Sequence, residues 1–247
     1  MRLPPISCDL GEGESPSQPR WLMSLVDEAN IACGGHAGDD ESIASCLVLA
    51  RAEQVRPGAH PGIPDRASLG RASSLTIRPS DLTALLDEQV GRLLSVADGL
   101  GIAVHHIKLH GALYHLVDED PALGAAYLHH VAARWPGLAV VTRANGGLLT
   151  LPWPPGLRWV REAFLDRGYR ADGTLVPRGQ PGDLLAEPDE VLARLHAWRL
   201  KGSWPAVDGH QVTLEPDTFC VHGDSPNAIA VLRRIRSVHP RQPLPKA

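Results

Sequence analysis

The chain has 247 residues, 43% of them hydrophobic and 21% charged, which is enough length and apolar content to bury the core of an α/β domain. A net charge of −4 gives no basic footprint for nucleic acid or an anionic membrane, and no apolar run approaches the ~20 residues of a bilayer-spanning helix. The opening residues, Met1 to Pro5, carry no apolar signal segment, so the expectation is a cytoplasmic protein. Its four cysteines (Cys8, Cys33, Cys46, Cys220) are scattered without a C-x-x-C pair and read as free thiols.

Taken in order, Ile6 to Leu10 is a short strand carrying Asp9, followed by the loop Gly11-Glu12-Gly13-Glu14. Trp21 to Val26 is a brief helical run. Ala29 to Cys33 is a second strand leading into Gly34-Gly35-His36-Ala37-Gly38, and Asp39 or Asp40 caps a helix through Glu53 with Ile43, Leu47 and Ala50 on one face. Val55 to Ala59 is a third strand, ending at His60-Pro61-Gly62. The stretch 63–79 has no periodicity, and its Leu69-Gly70-Arg71 suggests a functional loop. Ser80 is expected to cap a long helix ending near Gly99 or Gly101, with Leu82, Leu86 and Leu93 spaced for one buried face.

Val104 to Leu109 follows as a strand that stops at His110-Gly111 and turns. Side chains alternate along a strand, so His106, Lys108 and His110 share a face, and such a face is costly to bury without partners. Lys108 is one of only three lysines beside 21 arginines, which makes it a poor candidate for incidental surface charge. A helix is expected from Pro121 to Arg134, strands at 138–142 and 157–161, an irregular stretch at 168–183, and a helix at 188–199. The last strand, 219–221, ends at His222-Gly223-Asp224 before a helix over 226–238.

About seven strands, mostly followed by helices, imply a parallel sheet. Asp9, His36, His60, His110, Glu162 and His222 each fall at or just after the C-terminal end of a predicted strand, the face on which (β/α) barrels build their sites. A doubly wound sheet would gather them at one switch point instead. The reading is therefore a single irregular seven-stranded (β/α) barrel over residues 1–239, with a frayed Pro-rich tail at 240–247.

Six polar strand ends are more than structural histidines alone explain. Asp9 and Glu12 read as a carboxylate pair, and His60, His110 and His222 as acid–base groups. His36, Arg71, Lys108, Glu162, Asp166, Arg167 and Asp224 read as substrate-binding residues. His105, His115, His129, His130, His196, His210 and His239 are expected to be solvated. There is no G-x-x-x-x-G-K-[ST], no G-x-G-x-x-G after a strand and no G-x-S-x-G elbow. What remains is carboxylate and imidazole chemistry on a small polar substrate, with the involvement of a metal left open.

Six motifs in register resemble the LamB/YcsF family: Cys8-Asp9-Leu10-Gly11-Glu12-Gly13, Asn30 to Asp39, Gly58-Ala59-His60-Pro61-Gly62, Lys108 to Tyr114, Glu162 to Arg167, and Cys220-Val221-His222-Gly223-Asp224. The resemblance spans nearly the whole chain. It implies a barrel related to metal-dependent carbohydrate deacetylases. It also implies cleavage of 5-oxo-L-proline to L-glutamate with ATP as co-substrate, in a complex with B and C subunits that share the work on ATP. The chain departs from the family pattern at Ser7, Gly35, Ala72, Leu109 and Leu165; Ser7 and Ala72 bear on substrate affinity. Two other readings stay open. One is a metal-dependent deacetylase or amidohydrolase acting alone, with Asp9, His36 and His60 or His110 holding the ion. The other is a non-catalytic component that binds a lactam without turning it over.

Overall fold

A computed structural model describes residues 3–15, 17–71 and 76–241. Among them, β1 (Ile6–Leu10), β2 (Glu28–Ala32), β3 (Arg56–His60), β4 (His106–Lys108), β5 (Ala139–Arg143), β6 (Trp159–Phe164) and β9 (Thr218–Cys220) pair in parallel in that order. β9 pairs with both β6 and β1, so the sheet closes into the expected seven-stranded barrel. Around it run α1 (Gln18–Leu25), α2 (Asp40–Ala52), α3 (Pro79–Gly99), α4 (Gly111–Glu119), α5 (Pro121–Arg134), α6 (Pro188–Lys201) and α7 (Ala228–Val238). A separate antiparallel pair, β7 (Ser203–Pro205) and β8 (Gln211–Thr213), lies outside the barrel sheet. No described helix is long and apolar enough to cross a membrane.

Strand alternation sorts the side chains. Ile6, Cys8 and Leu10 of β1, Ile31 of β2, Ile107 of β4 and Phe219 of β9 join Leu22, Leu47, Leu82, Leu86, Leu93 and Leu232 in one apolar layer between sheet and helices. The opposite face of the same strands carries Asp9, Asn30, His106, Lys108, Thr218 and Cys220, all buried. The barrel interior is therefore polar, unlike the branched aliphatic layers usual in barrels of this class. Its lower part is a hydrogen-bond chain: His106 Nε2 meets Asn30 Oδ1 at 2.7 Å, and Asn30 Nδ2 donates to Asp9 Oδ1 at 2.8 Å.

Several boundaries differ from the sequence reading. The strand expected over 104–109 keeps only His106–Lys108, and the expected turn after it is α4. Gly111 is a poor helix starter and His110 gives no side-chain cap, so this helix has no start signal. β6 runs to Phe164, which puts Glu162 inside the strand rather than beyond it. α3 starts at Pro79, a residue pre-set for a first turn, ahead of the expected Ser80 cap. Asp39 does cap α2, accepting from Ser42 N at 2.8 Å while Ser42 Oγ accepts from Asp39 N. The β7–β8 hairpin is absent from the sequence reading although Asp208-Gly209 signals its turn. Ala72 and the tail beyond Arg241 lie outside the described residues.

β3 can pass the interior chain only because it has no side chain at Gly58, where a Cβ would collide with the His106 ring. Gly58→Ala is expected to cost about 1–3 kcal/mol through overpacking, read as a lower midpoint of urea unfolding. An unchanged midpoint would contradict the packing described.

Candidate active site at the mouth of the barrel

Lys108 projects from β4 into the barrel and is buried. Its Nζ lies 2.8 Å from Asp9 Oδ1 of β1, 3.0 Å from Glu162 Oε1 of β6 and 3.2 Å from Cys220 Sγ of β9. Tyr114 OH donates to the other Glu162 oxygen at 3.2 Å. Burial alone would lower the Lys108 pKa, but the adjoining Asp9, Cys220 and Glu162 outweigh it and hold the ammonium well above its usual value. Burial would likewise raise Asp9, yet Lys108 and then His60 bring it well below the carboxylate range. For Glu162 burial wins and its pKa stays raised.

Beside this centre, three imidazoles converge on Glu12. Glu12 Oε1 is 3.1 Å from His36 Nε2, 3.0 Å from His110 Nδ1 and 3.6 Å from His60 Nε2. His60 Nε2 and His110 Nδ1 face one another at 3.0 Å, and Asp9 Oδ2 approaches the same His60 atom at 3.5 Å. His36 stacks on His110 with ring centroids 3.7 Å apart. Burial lowers His36 to about 4 and lowers His60, against the pull of the nearby carboxylates. Glu12 is shifted down despite its burial by its close contacts with His110 and His36. Gln89 of α3 brackets Gly62 through two hydrogen bonds and fills the space that a side chain at Gly35 would need.

Across the mouth stands His222, its Nδ1 3.0 Å from Asp166 Oδ1 and its ring stacked on Phe164. Asp166 also accepts from the His222 backbone N–H and from Ser225 Oγ. Burial would raise Asp166, but its His222 and Ser225 contacts lower it. Between His222 and the imidazole cluster opens a cavity of about 700 Å³, whose lining includes Arg71, Arg143, Arg167, Arg170 and Arg178. Arg71 pairs with Asp224 at 2.7 Å, and Arg143 with Asp118. Arg167 donates to the carbonyls of Asp183 and Val176, and Arg170 to Gln180. No carboxylate partner of Arg167, Arg170 or Arg178 is found among the described residues, so the rim has cationic charge to offer an anion.

Of the residues expected at a site, Asp9, His60, Arg71, Lys108, His110, Arg167 and His222 line the cavity. Glu12, His36, Glu162 and Asp166 stand behind that lining and hold its members. Lys108, expected to hold substrate charge, instead directs its donors at Asp9, Glu162 and Cys220. Asp224, expected to bind substrate, is the partner of Arg71 on the rim. His115, expected in solvent, is half-buried in the cavity wall, where burial and the nearby Arg143 bring its pKa down to about 4. Arg143 escapes the sequence reading because that reading ends its strand one residue early. Arg170 and Arg178 sit in the irregular stretch, where no period marks which side chains face inward.

The LamB/YcsF family is matched over residues 5–244. The chain belongs to the LamB/YcsF family. Among its relatives, the 5-oxoprolinase A subunit of Methylococcus capsulatus is 40% identical over 234 residues, covering 94% of this chain and 90% of that one. A 5-oxoprolinase A subunit of Pseudomonas syringae pv. tomato, the one numbered 3, is 38% identical over 241 residues, covering 96% and 94%. The crystal structure of a lactam utilization protein from Thermus thermophilus superposes with a TM-score of 0.85 at 34% identity, covering 96% of this chain and 95% of that one. The fold of that protein is thus the fold found here.

Asp9 and Asp166 both titrate below their ordinary value, so the stability they contribute is complete above about pH 4, where an unfolded aspartate ionises, and is lost as pH falls through their folded values. Lys108→Met strands the Asp9 charge and is expected to cost about 3–5 kcal/mol at neutral pH. Asp9 then lacks the cation that lowered it, so the gap to wild type should narrow on acidification to about pH 3. Urea unfolding at both pH values reads this; a gap that is absent or widens in acid would contradict it.

Proposed function

We propose that this chain is the A subunit of an ATP-hydrolysing 5-oxoprolinase, a hydrolase that opens the cyclic amide 5-oxo-L-proline to L-glutamate together with B and C subunits. The observation that carries the reading is the cavity itself. Its lining combines acid–base groups with the guanidinium groups of Arg167, Arg170 and Arg178, which have no carboxylate partner among the described residues, and it has room for a small anion. The names of the relatives support the choice of lactam and the presence of companion subunits.

A five-membered lactam resists water because amide resonance makes its carbonyl carbon a poor electrophile. Transfer of the ATP γ-phosphoryl group to the lactam oxygen removes that resonance. Water then adds to the ring carbon, and the C–N bond breaks with its electron pair passing to nitrogen, which takes a proton. A second water releases phosphate from the resulting acyl phosphate. In this sequence the His60, His110 and Asp9 atoms that face one another position the attacking water, and Asp9 Oδ2 takes up its proton. His222, oriented by Asp166, delivers a proton to the ring nitrogen. Arg167, Arg170 and Arg178 receive the carboxylate and phosphoryl charge.

The test is glutamate release from 5-oxo-L-proline by the chain with its B and C subunits and ATP, against mixtures lacking each component. Release is expected only from the complete mixture. Replacing His60, His110 or His222 by Ala should slow it by about 10²–10⁴-fold. Release by the chain alone without ATP, or losses below roughly threefold at all three histidines, would contradict the proposal.

A further inference from the structure

The imidazole cluster poses a problem of proton accounting. His60 Nδ1 lies 2.7 Å from the Lys108 carbonyl, and His110 Nε2 lies 2.8 Å from the Leu69 carbonyl. A carbonyl oxygen only accepts, so each of those nitrogens carries the ring hydrogen. In a neutral ring the other nitrogen is then a bare lone pair. These two bare nitrogens, His60 Nε2 and His110 Nδ1, face each other at 3.0 Å, and both face Glu12 Oε1, an acceptor as well. Three electron-rich atoms pointed at one place require something positive between them.

We propose that Glu12, His36, His60 and His110 bind a divalent first-row transition cation of the zinc type. The four offer ligand atoms that all lie within 4.8 Å of one another. The closest pairs are 3.0, 3.0, 3.1 and 3.6 Å apart. A tetrahedral site with metal–nitrogen bonds of about 2.0–2.1 Å separates neighbouring donors by about 3.3–3.4 Å, so small shifts seat the ion. Three imidazole nitrogens with one carboxylate oxygen suit zinc and its neighbours and do not suit magnesium or calcium, which take oxygen ligands.

The surroundings fix the rings in this arrangement. The two backbone carbonyls set the His60 and His110 tautomers, as partners behind a metal site do. Gly62 and Gly70 let their loops close on the cluster; a Cβ at Gly62 would run into His36, and one at Gly70 would come within 3.0 Å of it. His60 and His110 also line the cavity, which leaves the ion a face open to a small ligand. The set differs from one built on Asp9, whose Oδ1 is committed to Lys108 and Asn30. With the cation in place, His60 and His110 serve as its ligands, and Asp9 Oδ2 and His222 remain the groups that handle protons. The proposal stands on the cluster alone and is tested without any lactam.

The test uses the metal alone. The full chain is stripped with chelator, checked for folding by circular dichroism, and titrated with Zn²⁺ by calorimetry and with Co²⁺ by visible absorption. Binding of about one ion per chain is expected, with the intense Co²⁺ bands of a four-coordinate site. Glu12→Gln and His110→Gln, which keep side-chain size, should each weaken binding by about 100-fold or more. His115→Ala, in the cavity wall but outside the cluster, should bind as wild type. Zn²⁺ should raise the melting temperature of wild type and not that of the two cluster variants. No binding at micromolar Zn²⁺, or equal binding by wild type, Glu12→Gln and His110→Gln, would overturn the proposal, the latter marking an adventitious surface site. The cluster would then hold a shared proton instead.

Discussion

A lysine ammonium held inside a barrel is the constraint on which the rest of this molecule depends. Lys108 comes from β4, and its partners come from β1, β6 and β9, so one side chain ties together strands on different sides of the sheet. Leaving any of these groups unpaired would cost several kcal/mol, whereas the intact cluster is close to neutral in net stability. Its consequence is geometric. Asp9 cannot turn away while Lys108 and Asn30 both hold Oδ1, and that leaves Oδ2 aimed at His60.

Cohesion comes from elsewhere. The apolar layer between the strands and α1 to α7 excludes water over most of the chain, and each burial of a Leu or Ile side chain there contributes roughly 1.5–3 kcal/mol. That layer allows the barrel interior to be polar. The interior chain from His106 through Asn30 to Asp9 and Lys108 then supports the groups at the C-terminal mouth from below. The imidazoles and His222 with Asp166 belong to different strand ends, and arginines from the irregular stretch line the same cavity. A site with this division can place different charges at the two ends of a small molecule without moving the scaffold.

The parts of this arrangement legible in the sequence are those with a strong local signal. Alternation in His106-Ile107-Lys108 shows which side chains share the barrel face, and polar residues at successive strand ends indicate a closed barrel. Glu12 and His36 stand out individually, but their convergence with His60 and His110 depends on loops whose closure is set by Gly62 and Gly70, and no periodicity encodes that. The role of Lys108 is misjudged from sequence for a related reason. A strand pattern shows that an ammonium points inward but not that Glu162 and Cys220 wait there. α4 is hidden by its glycine start, and Arg170 and Arg178 by the lack of any regular element around them.

The central claim is that the polar barrel builds one cavity for an anionic lactam. The most direct measurement is a crystal structure of the chain grown with saturating 5-oxo-L-proline. The expected result is the lactam ring in the cavity, its amide between His110 and His222 and its carboxylate against Arg167, Arg170 or Arg178. A ligand bound outside this cavity, or inside it with the carboxylate turned toward Asp9 and Glu12, would contradict the claim.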